Sequence, residues 1–87
     1  MEPFRDELRN ILNIIANLAN NNTEHVVFDH AIIAEFNNLP PYEIRNYLDE
    51  LKLLGLIQED NKPKGANFRI YRINREGLNK LENQDIR

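Results

Sequence analysis

The stretch "YEIRNYLDELKLLGLI", residues 42 to 57, has the most regular apolar pattern in the chain. Its apolar residues recur at the i, i+4, i+7 spacing of one buried helix face: Ile44, Leu48 and Leu51. Gly55 stands where a helix ends with a residue of positive φ, and Leu56 can then fold back onto Leu51 in a Schellman motif. The stretch predicts a helix over 41–54 that reverses into a strand.

A shorter helix is expected before this one. The segment "HAIIAEFNN" predicts a helix over 29–37, with Asp29 as its N-cap. Pro40 and Pro41 favour a turn, because a residue before proline avoids the helical region, and Pro41 suits the first position of the next helix. The run "HVVF", 25–28, is β-branched and aromatic and predicts a brief strand. The sequence therefore predicts two helices joined by a tight turn.

A first helix is predicted over 3–20, with Pro3 at its first position. Its apolar residues follow spacings of 4, 3, 4 and 3 along one face: Phe4, Leu8, Ile11, Ile15 and Leu18. The asparagine run 20–22 ends the helix. Ile14 lies off this face, and two interpretations are open: a surface residue, or a contact between two copies of the chain.

A hairpin over 56–73 is predicted after the long helix, with "NKPKGAN", 61–67, as its tip. The tip includes Pro63 and Gly65 and is longer than a tight turn requires, so we expect it to project. The returning strand "FRIYRI" has apolar residues on both parities, which indicates a bulge or partial burial of both faces. A last helix is predicted over 75–83, capped by Asn74 and burying two leucines.

Positive charge is concentrated in this hairpin. The formal net charge of the chain is -3, and residues 1–61 carry four Lys and Arg against eleven Asp and Glu. Residues 62–75 carry five basic side chains and no acid. Such a confined stripe can serve as the electrostatic footprint for nucleic acid even in an acidic chain. The alternative is that these side chains protect an exposed sheet edge from aggregation.

Length and composition argue against an enzyme. A chain of 87 residues makes one domain and has little room for a substrate cavity. The sequence has no Cys and no Ser, and His25, His30 and Asp29 lack the spacing of a metal-binding set. We therefore expect no catalytic residue, no metal site and no cofactor. The longest apolar stretch is too short to cross a bilayer, which favours a cytoplasmic protein.

The predicted order is helix, short strand, helix, turn, helix, hairpin and helix. With the segments "EIRNYLDELKLLGLI" and "YRINREGLNKL", this order resembles the winged helix-turn-helix regulators of bacteria and archaea over about residues 4–83. The resemblance implies an α+β fold with a three-helix core, a β-wing of two to three strands and a C-terminal helix. In that family the helix corresponding to 41–54 enters a DNA major groove, and the wing, here 61–72, touches backbone or minor groove.

The resemblance also implies DNA-contacting residues. On the long helix the groove-facing candidates are Tyr42, Glu43, Arg45 and Asn46, with Asp49 lower down. Arginine can bind guanine through two hydrogen bonds and asparagine can bind adenine in the same way, so Arg45 and Asn46 are expected to read bases. Glu43 has two open interpretations, a contact with a cytosine amine or a favourable first-turn acid. Arg45 can also pair with Asp49 at i, i+4.

Lys62, Lys64 and Arg69 are expected to contact phosphates, with Asn67 as a further donor. The predicted function is sequence-specific binding of double-stranded DNA by a small transcriptional regulator that forms a homodimer through its first and last helices. A second hypothesis is a winged-helix interaction module within a larger replication, transcription or regulatory assembly, because the acidic remainder of the chain repels DNA.

Overall fold

The structure, a computed structural model, describes residues 5–82. Its elements are α1 (Asp6–Leu18), β1 (Val27–Phe28), α2 (Asp29–Ile33), α3 (Pro41–Leu53), β2 (Ile57–Asp60), β3 (Ile70–Ile73) and α4 (Arg75–Glu82). This is the order expected from the sequence. Pro3 and Phe4, predicted to begin the first helix, and residue 83, predicted to end the last, lie outside the described residues.

The end of α3 has the hydrogen bonds of a Schellman motif. The Leu56 N–H donates to the Leu51 carbonyl at 3.1 Å, and the Gly55 N–H donates to the Lys52 carbonyl at 2.9 Å. Gly55 has φ +78°, a conformation that glycine adopts without steric cost. Leu51 and Leu56 are both buried. The predicted helix stop is confirmed, although α3 ends at Leu53 instead of residue 54.

The end of α1 repeats this motif with asparagine in place of glycine. The Asn21 N–H donates to the Ala16 carbonyl at 2.8 Å, and the Asn20 N–H donates to the Asn17 carbonyl at 3.1 Å. Asn20 has φ +56°, which asparagine tolerates better than most residues. The helix ends at Leu18, two residues earlier than predicted, because the motif already turns the chain there.

The second helix is shorter than predicted, since α2 ends at Ile33 instead of Asn37. Beyond it, the Glu35 and Phe36 N–H groups donate to carbonyls three residues back instead of four. These tightened turns bring Ile33, Phe36 and Leu39, spaced three apart, against the core. The Ala34 N–H still donates four residues back, to the His30 carbonyl, so the α-helical hydrogen-bond pattern stops directly after it.

Asp29 and Asn74 do not act as simple helix caps. Asp29 begins α2, but no side-chain hydrogen bond caps that helix, and the Asp29 carboxylate turns toward α3. The Asn74 side-chain amide donates to the Gly55 carbonyl at 3.0 Å, joining the start of α4 to the end of α3. Both polar side chains therefore connect elements that are distant in the sequence.

The sheet is antiparallel with the order β1-β3-β2, so β3 lies in the centre. The predicted strand 25–28 is reduced to Val27 and Phe28, which pair with Tyr71 and Ile70. His25 belongs instead to the end of α1, because its Nδ1 is 2.9 Å from the Ala19 carbonyl oxygen. The strand β1 is therefore short, because His25 is attached to the end of α1 and the pairing with β3 begins at Val27.

The loop of the wing is longer than predicted. It runs from 61 to 69, because Phe68 and Arg69 do not pair with β2. The Arg69 carbonyl accepts a hydrogen bond from the Asp29 N–H at 3.0 Å, and the Phe68 ring lies 5.1 Å from the Phe28 ring, measured between centroids. Both residues are thus held by the β1 side of the sheet.

Both faces of β3 carry apolar side chains, as one of the two predicted alternatives required. Tyr71 and Ile73 are buried against the helices, while Ile70 and Phe68 are half-buried on the outer face. Phe28 also lies exposed beside Ile70 in the register of the sheet. The outer face therefore has a partly covered aromatic pair.

One core joins the four helices to the inner face of the sheet. Its members include Leu8, Ile11, Leu12, Ile15, Ile32, Ile44, Leu48, Leu51, Tyr71 and Ile73. Ile14 is half-buried against this core, so its side chain has partners within the same chain. Gly77 lets α4 approach the end of α3 closely, because a Cβ there would collide with the Leu56 carbonyl oxygen.

Candidate nucleic-acid interface

The N-terminal half of α3 presents the predicted groove-facing residues away from the core. Pro41 occupies the first helical position, and Ile44 faces inward and is fully buried. Tyr42 and Asn46 are exposed, whereas Glu43 and Arg45 are half-buried. Packing of the apolar stripe therefore fixes which side of α3 is open to a ligand.

Arg45 is paired with Asp29. Its Nε lies 3.4 Å from Asp29 Oδ2, and its side chain is 35% exposed. Asp29, the first residue of α2, is only 1% exposed, because α3 covers its carboxylate. The sequence suggested Asp49 as the partner of Arg45, and the described contacts give the buried Asp29 instead.

Asp49 pairs with the wing. Arg69 Nη1 lies 3.3 Å from Asp49 Oδ1, and both side chains are partly exposed. The Asp29 N–H in turn donates to the Arg69 carbonyl. Asp29, Arg45, Asp49 and Arg69 thus form a connected series of contacts, which the backbone of α3 closes because Arg45 and Asp49 lie one turn apart on that helix. We call this arrangement the α3–wing ring. It brings the open side of α3 next to the base of the wing.

A second ion pair joins α3 to the wing lower down. Lys52 Nζ lies 2.7 Å from Glu59 Oε1. The hydrogen bond with Glu59 raises the pKa of Lys52 above its ordinary value. This pair attaches β2 to α3, and the Arg69–Asp49 pair attaches the residue directly before β3, so both strands of the wing are linked to α3.

The wing loop contains a tight turn, 63–66, that presents Lys64. The Ala66 N–H donates to the Pro63 carbonyl at 3.1 Å, and Gly65 has φ +85°. This is the pattern of a type II turn, which requires a positive φ at its third residue. Lys64, the second residue of the turn, is exposed.

The basic residues of the wing, Lys62, Lys64, Arg69 and Arg72, have different environments. Lys62, Lys64 and Asn67 are exposed, and within residues 5–82 neither lysine forms an ion pair. Arg69 is neutralised by Asp49. Arg72 lies 3.0 Å from Asp60 and 3.6 Å from Glu24. Of the three basic residues predicted to contact phosphates, Lys62 and Lys64 are therefore the two without an ion-pair partner among the described residues.

Tyr71 lies beneath the wing base with a buried hydroxyl. Its side chain is fully buried, and the hydroxyl makes no hydrogen bond of standard geometry with the described residues. Burial raises the pKa of Tyr71, and the nearby Arg69 guanidinium opposes part of that rise. Tyr71 therefore packs as an aromatic core residue next to the α3–wing ring.

Two ion-pair partners at the candidate interface were not predicted from the sequence: Asp29, which pairs with Arg45, and Asp49, which pairs with Arg69. Each pairs with a residue at least 16 positions away, so no local spacing identifies the pair. The aromatic pair of Phe28 and Phe68 was also missed, because it depends on the register between β1 and β3.

Both histidines lie next to polar groups of the protein itself. His25 is bonded to the Ala19 carbonyl, and His30 Nε2 lies 4.0 Å from Asp29 Oδ1. Within residues 5–82 no group of three or more His, Asp or Glu side chains is placed to hold a metal ion. Each helix in this range is too short or too polar to span a lipid bilayer.

No protein-family model matches the chain, and neither does any curated protein sequence. Solved structures do match. ZitR of Lactococcus lactis, a zinc-responsive MarR family member, superposes with a TM-score of 0.70 at 14% identity, covering 93% of this chain and 51% of ZitR. The chain thus spans about half the length of ZitR.

Two further structures are similar. The hsRosR-S1 structure has a TM-score of 0.72 at 19% identity, covering 92% of this chain and 68% of that one. TubR, a protein of Type III plasmid segregation, has a TM-score of 0.56 at 16% identity, covering 94% of this chain and 88% of TubR. With its helices α1 to α4 and its three-stranded antiparallel sheet, the chain has the α+β winged helix-turn-helix fold.

Proposed function

We propose that the chain is a sequence-specific double-stranded DNA-binding protein and a small transcriptional regulator. The observation that carries this proposal is the α3–wing ring, which sets the open side of α3 beside a loop with two exposed, unpaired lysines. In this fold the helix that follows the turn enters the major groove. The wing loop then supplies contacts to backbone or minor groove.

The roles divide by chemistry. Lys62 and Lys64 contact phosphates as point charges, with Asn67 as a neutral donor. Arg45 and Asn46 read base edges, guanine and adenine being their preferred partners. Tyr42 and Glu43 flank them at the start of α3, and Arg69 reaches a phosphate when Asp49 releases it.

Fluorescence anisotropy with mixed-sequence duplex DNA over a salt series tests the role of the wing. We expect the Lys62→Ala/Lys64→Ala variant to bind all duplexes more weakly. Its slope of log affinity against log salt should flatten by about 1.8 per protomer, because each lost phosphate contact removes about 0.9.

A charge-matched variant, Arg75→Gln/Lys80→Gln on α4, is the control, after light scattering has shown that its assembly state equals that of the wild type. It should retain most of the affinity and the slope. Equal losses in the two variants would show only an effect of net charge and would contradict a specific role for the wing.

We also propose a homodimer that uses α1 and α4, because helix-turn-helix dimers read two-fold related half-sites. These helices pack against one another and leave their outer sides exposed. The exposed side of α1 is mostly polar, and Leu18 near its end is an exposed apolar residue that the second copy of the chain would contact. Light scattering should give twice the monomer mass at micromolar concentration, and a monomer at high concentration would contradict the dimer while leaving DNA binding intact.

A second candidate function is a protein-interaction module. The observation in its favour is an apolar pair at the end of α3, where Leu53 is 88% and Leu54 is 54% exposed. If the wild type binds no duplex DNA even at low salt, this candidate replaces the first. In both cases we propose a cytoplasmic protein that is not an enzyme and uses no cofactor.

A further inference from the structure

Asp29 is the one buried charged residue within residues 5–82. A buried carboxylate without a partner is costly, so its presence requires a compensating interaction. It does not cap α2, and its backbone N–H is already used by the Arg69 carbonyl. Its side-chain hydrogen bond among the described contacts is the one from Arg45.

The geometry of that hydrogen bond leaves the outer end of Arg45 available. Asp29 Oδ2 accepts from Nε, the guanidinium nitrogen nearest the aliphatic stem, at 3.4 Å. The two Nη groups carry four further N–H donors. Guanine is bound by two parallel N–H donors directed at O6 and N7, and the Nη pair can supply both.

Fixing the guanidinium in advance favours discrimination between bases. A free arginine side chain loses rotamer freedom when it binds, and a planar donor pair must be oriented to distinguish guanine from other bases. Asp29 limits the directions in which Arg45 can point, because it holds the nitrogen next to the stem. The Asp29 N–H also binds the base of the wing, so the same residue relates Arg45 to the wing.

Building on the proposed function, we propose that Asp29 is a positioning residue that gives Arg45 its specificity for guanine. Asp29 itself does not touch DNA. It acts through Arg45, and its removal changes base preference more than it changes overall affinity.

The test begins with in vitro selection of a duplex site by the wild-type protein. Wild type, Arg45→Ala, Asp29→Asn and the double variant are then titrated with the selected duplex, with duplexes changed at each guanine, and with mixed-sequence DNA. We expect Arg45→Ala to reduce a roughly 5- to 150-fold preference at one guanine to near unity. Asp29→Asn should lose most of the same preference, the double variant no more, and mixed-sequence binding with its salt slope should persist in all.

Each other outcome is decisive. If the wild type selects no site and binds no duplex, the proposed function itself fails. If DNA binds but Asp29→Asn keeps the full guanine preference, or weakens every duplex equally, the positioning role is overturned. The melting temperature of each variant is measured so that lost folding is recognised.

A measurement on the wild type covers the case in which Asp29→Asn does not fold. The 15N-edited NMR signal of Arg45 Nε–H should be protected from exchange in the free protein and should remain so when the selected duplex is added, while the Nη signals shift. Loss of Nε–H protection on DNA binding would show that Asp29 competes with DNA for Arg45, which contradicts the proposal.

Discussion

At the scale of single residues, two buried polar side chains are satisfied to different degrees. Asp29 Oδ2 has the cationic partner Arg45, whereas Asp29 Oδ1 and the Tyr71 hydroxyl have no hydrogen bond of standard geometry among the described residues. An unsatisfied buried hydroxyl costs free energy that a phenyl ring of the same shape avoids. Tyr71 therefore contributes its ring to the core and little through its oxygen.

We predict that Tyr71→Phe keeps or increases the free energy of unfolding at neutral pH, by up to about 1 kcal/mol. Burial raises the pKa of Tyr71 above the unfolded value of about 10, so the wild type loses stability as pH rises from about 10 toward the folded pKa. Tyr71→Phe lacks this loss, and its advantage should widen in that window. Denaturant titrations between pH 7 and 11 measure it.

Tyr42→Phe is the control, because Tyr42 is 69% exposed and its substitution should change stability little at any pH. The Lys52–Glu59 pair also weakens at alkaline pH, and it is present in the wild type and in both variants. A loss of more than about 1 kcal/mol in Tyr71→Phe at pH 7 would show that the hydroxyl is stabilising after all.

At the scale of elements, the end of α3 was predictable from the sequence, whereas the end of α2 and the long-range ion pairs were not. Gly55 and Leu56 identify the end of α3 because a Schellman motif depends on residues close in sequence. The length of α2 depends on Phe36 and Leu39 reaching the core, which local spacing does not show. The groove-facing and wing residues were predicted as a set, but their acidic partners were not.

The two acids of the α3–wing ring should act differently. Asp29 is buried and, as we propose, orients an arginine that reads a base, whereas Asp49 is about half exposed on the proposed DNA side. An exposed acid there repels phosphates and occupies Arg69, whose phosphate contact needs charge more than orientation.

We predict that Asp49→Asn binds mixed-sequence duplex several-fold more tightly and steepens the salt slope by about 0.9, because Arg69 gains freedom to contact a phosphate. Stability should change by less than about 1 kcal/mol, since the pair is exposed. Glu50→Gln removes the same charge from the same helix, but Glu50 pairs with Arg5 near α1, so its effect should be smaller. Weaker binding by Asp49→Asn would show that the pair mainly holds the wing in place.

At the scale of the whole molecule, an acidic chain presents a local cationic loop. The chain has a net charge of -3, and its acids pair with Arg45, Arg69 and Arg72, so within residues 5–82 the unpaired positive charge of the wing loop is carried by Lys62 and Lys64. The sequence shows that basic residues are concentrated over 62–75. The fold determines which of these residues are free to bind a ligand, because their acidic partners are distant in the sequence.

We propose that the open side of α3 and the wing loop form one DNA-binding surface. A titration of the 15N-labelled wild type with duplex DNA, monitored by amide chemical shifts, tests this surface. We expect the signals of residues 42–46 and 61–69 to shift together at one affinity. Shifts confined to one of these segments, or centred on Leu53 and Leu54 instead, would contradict it.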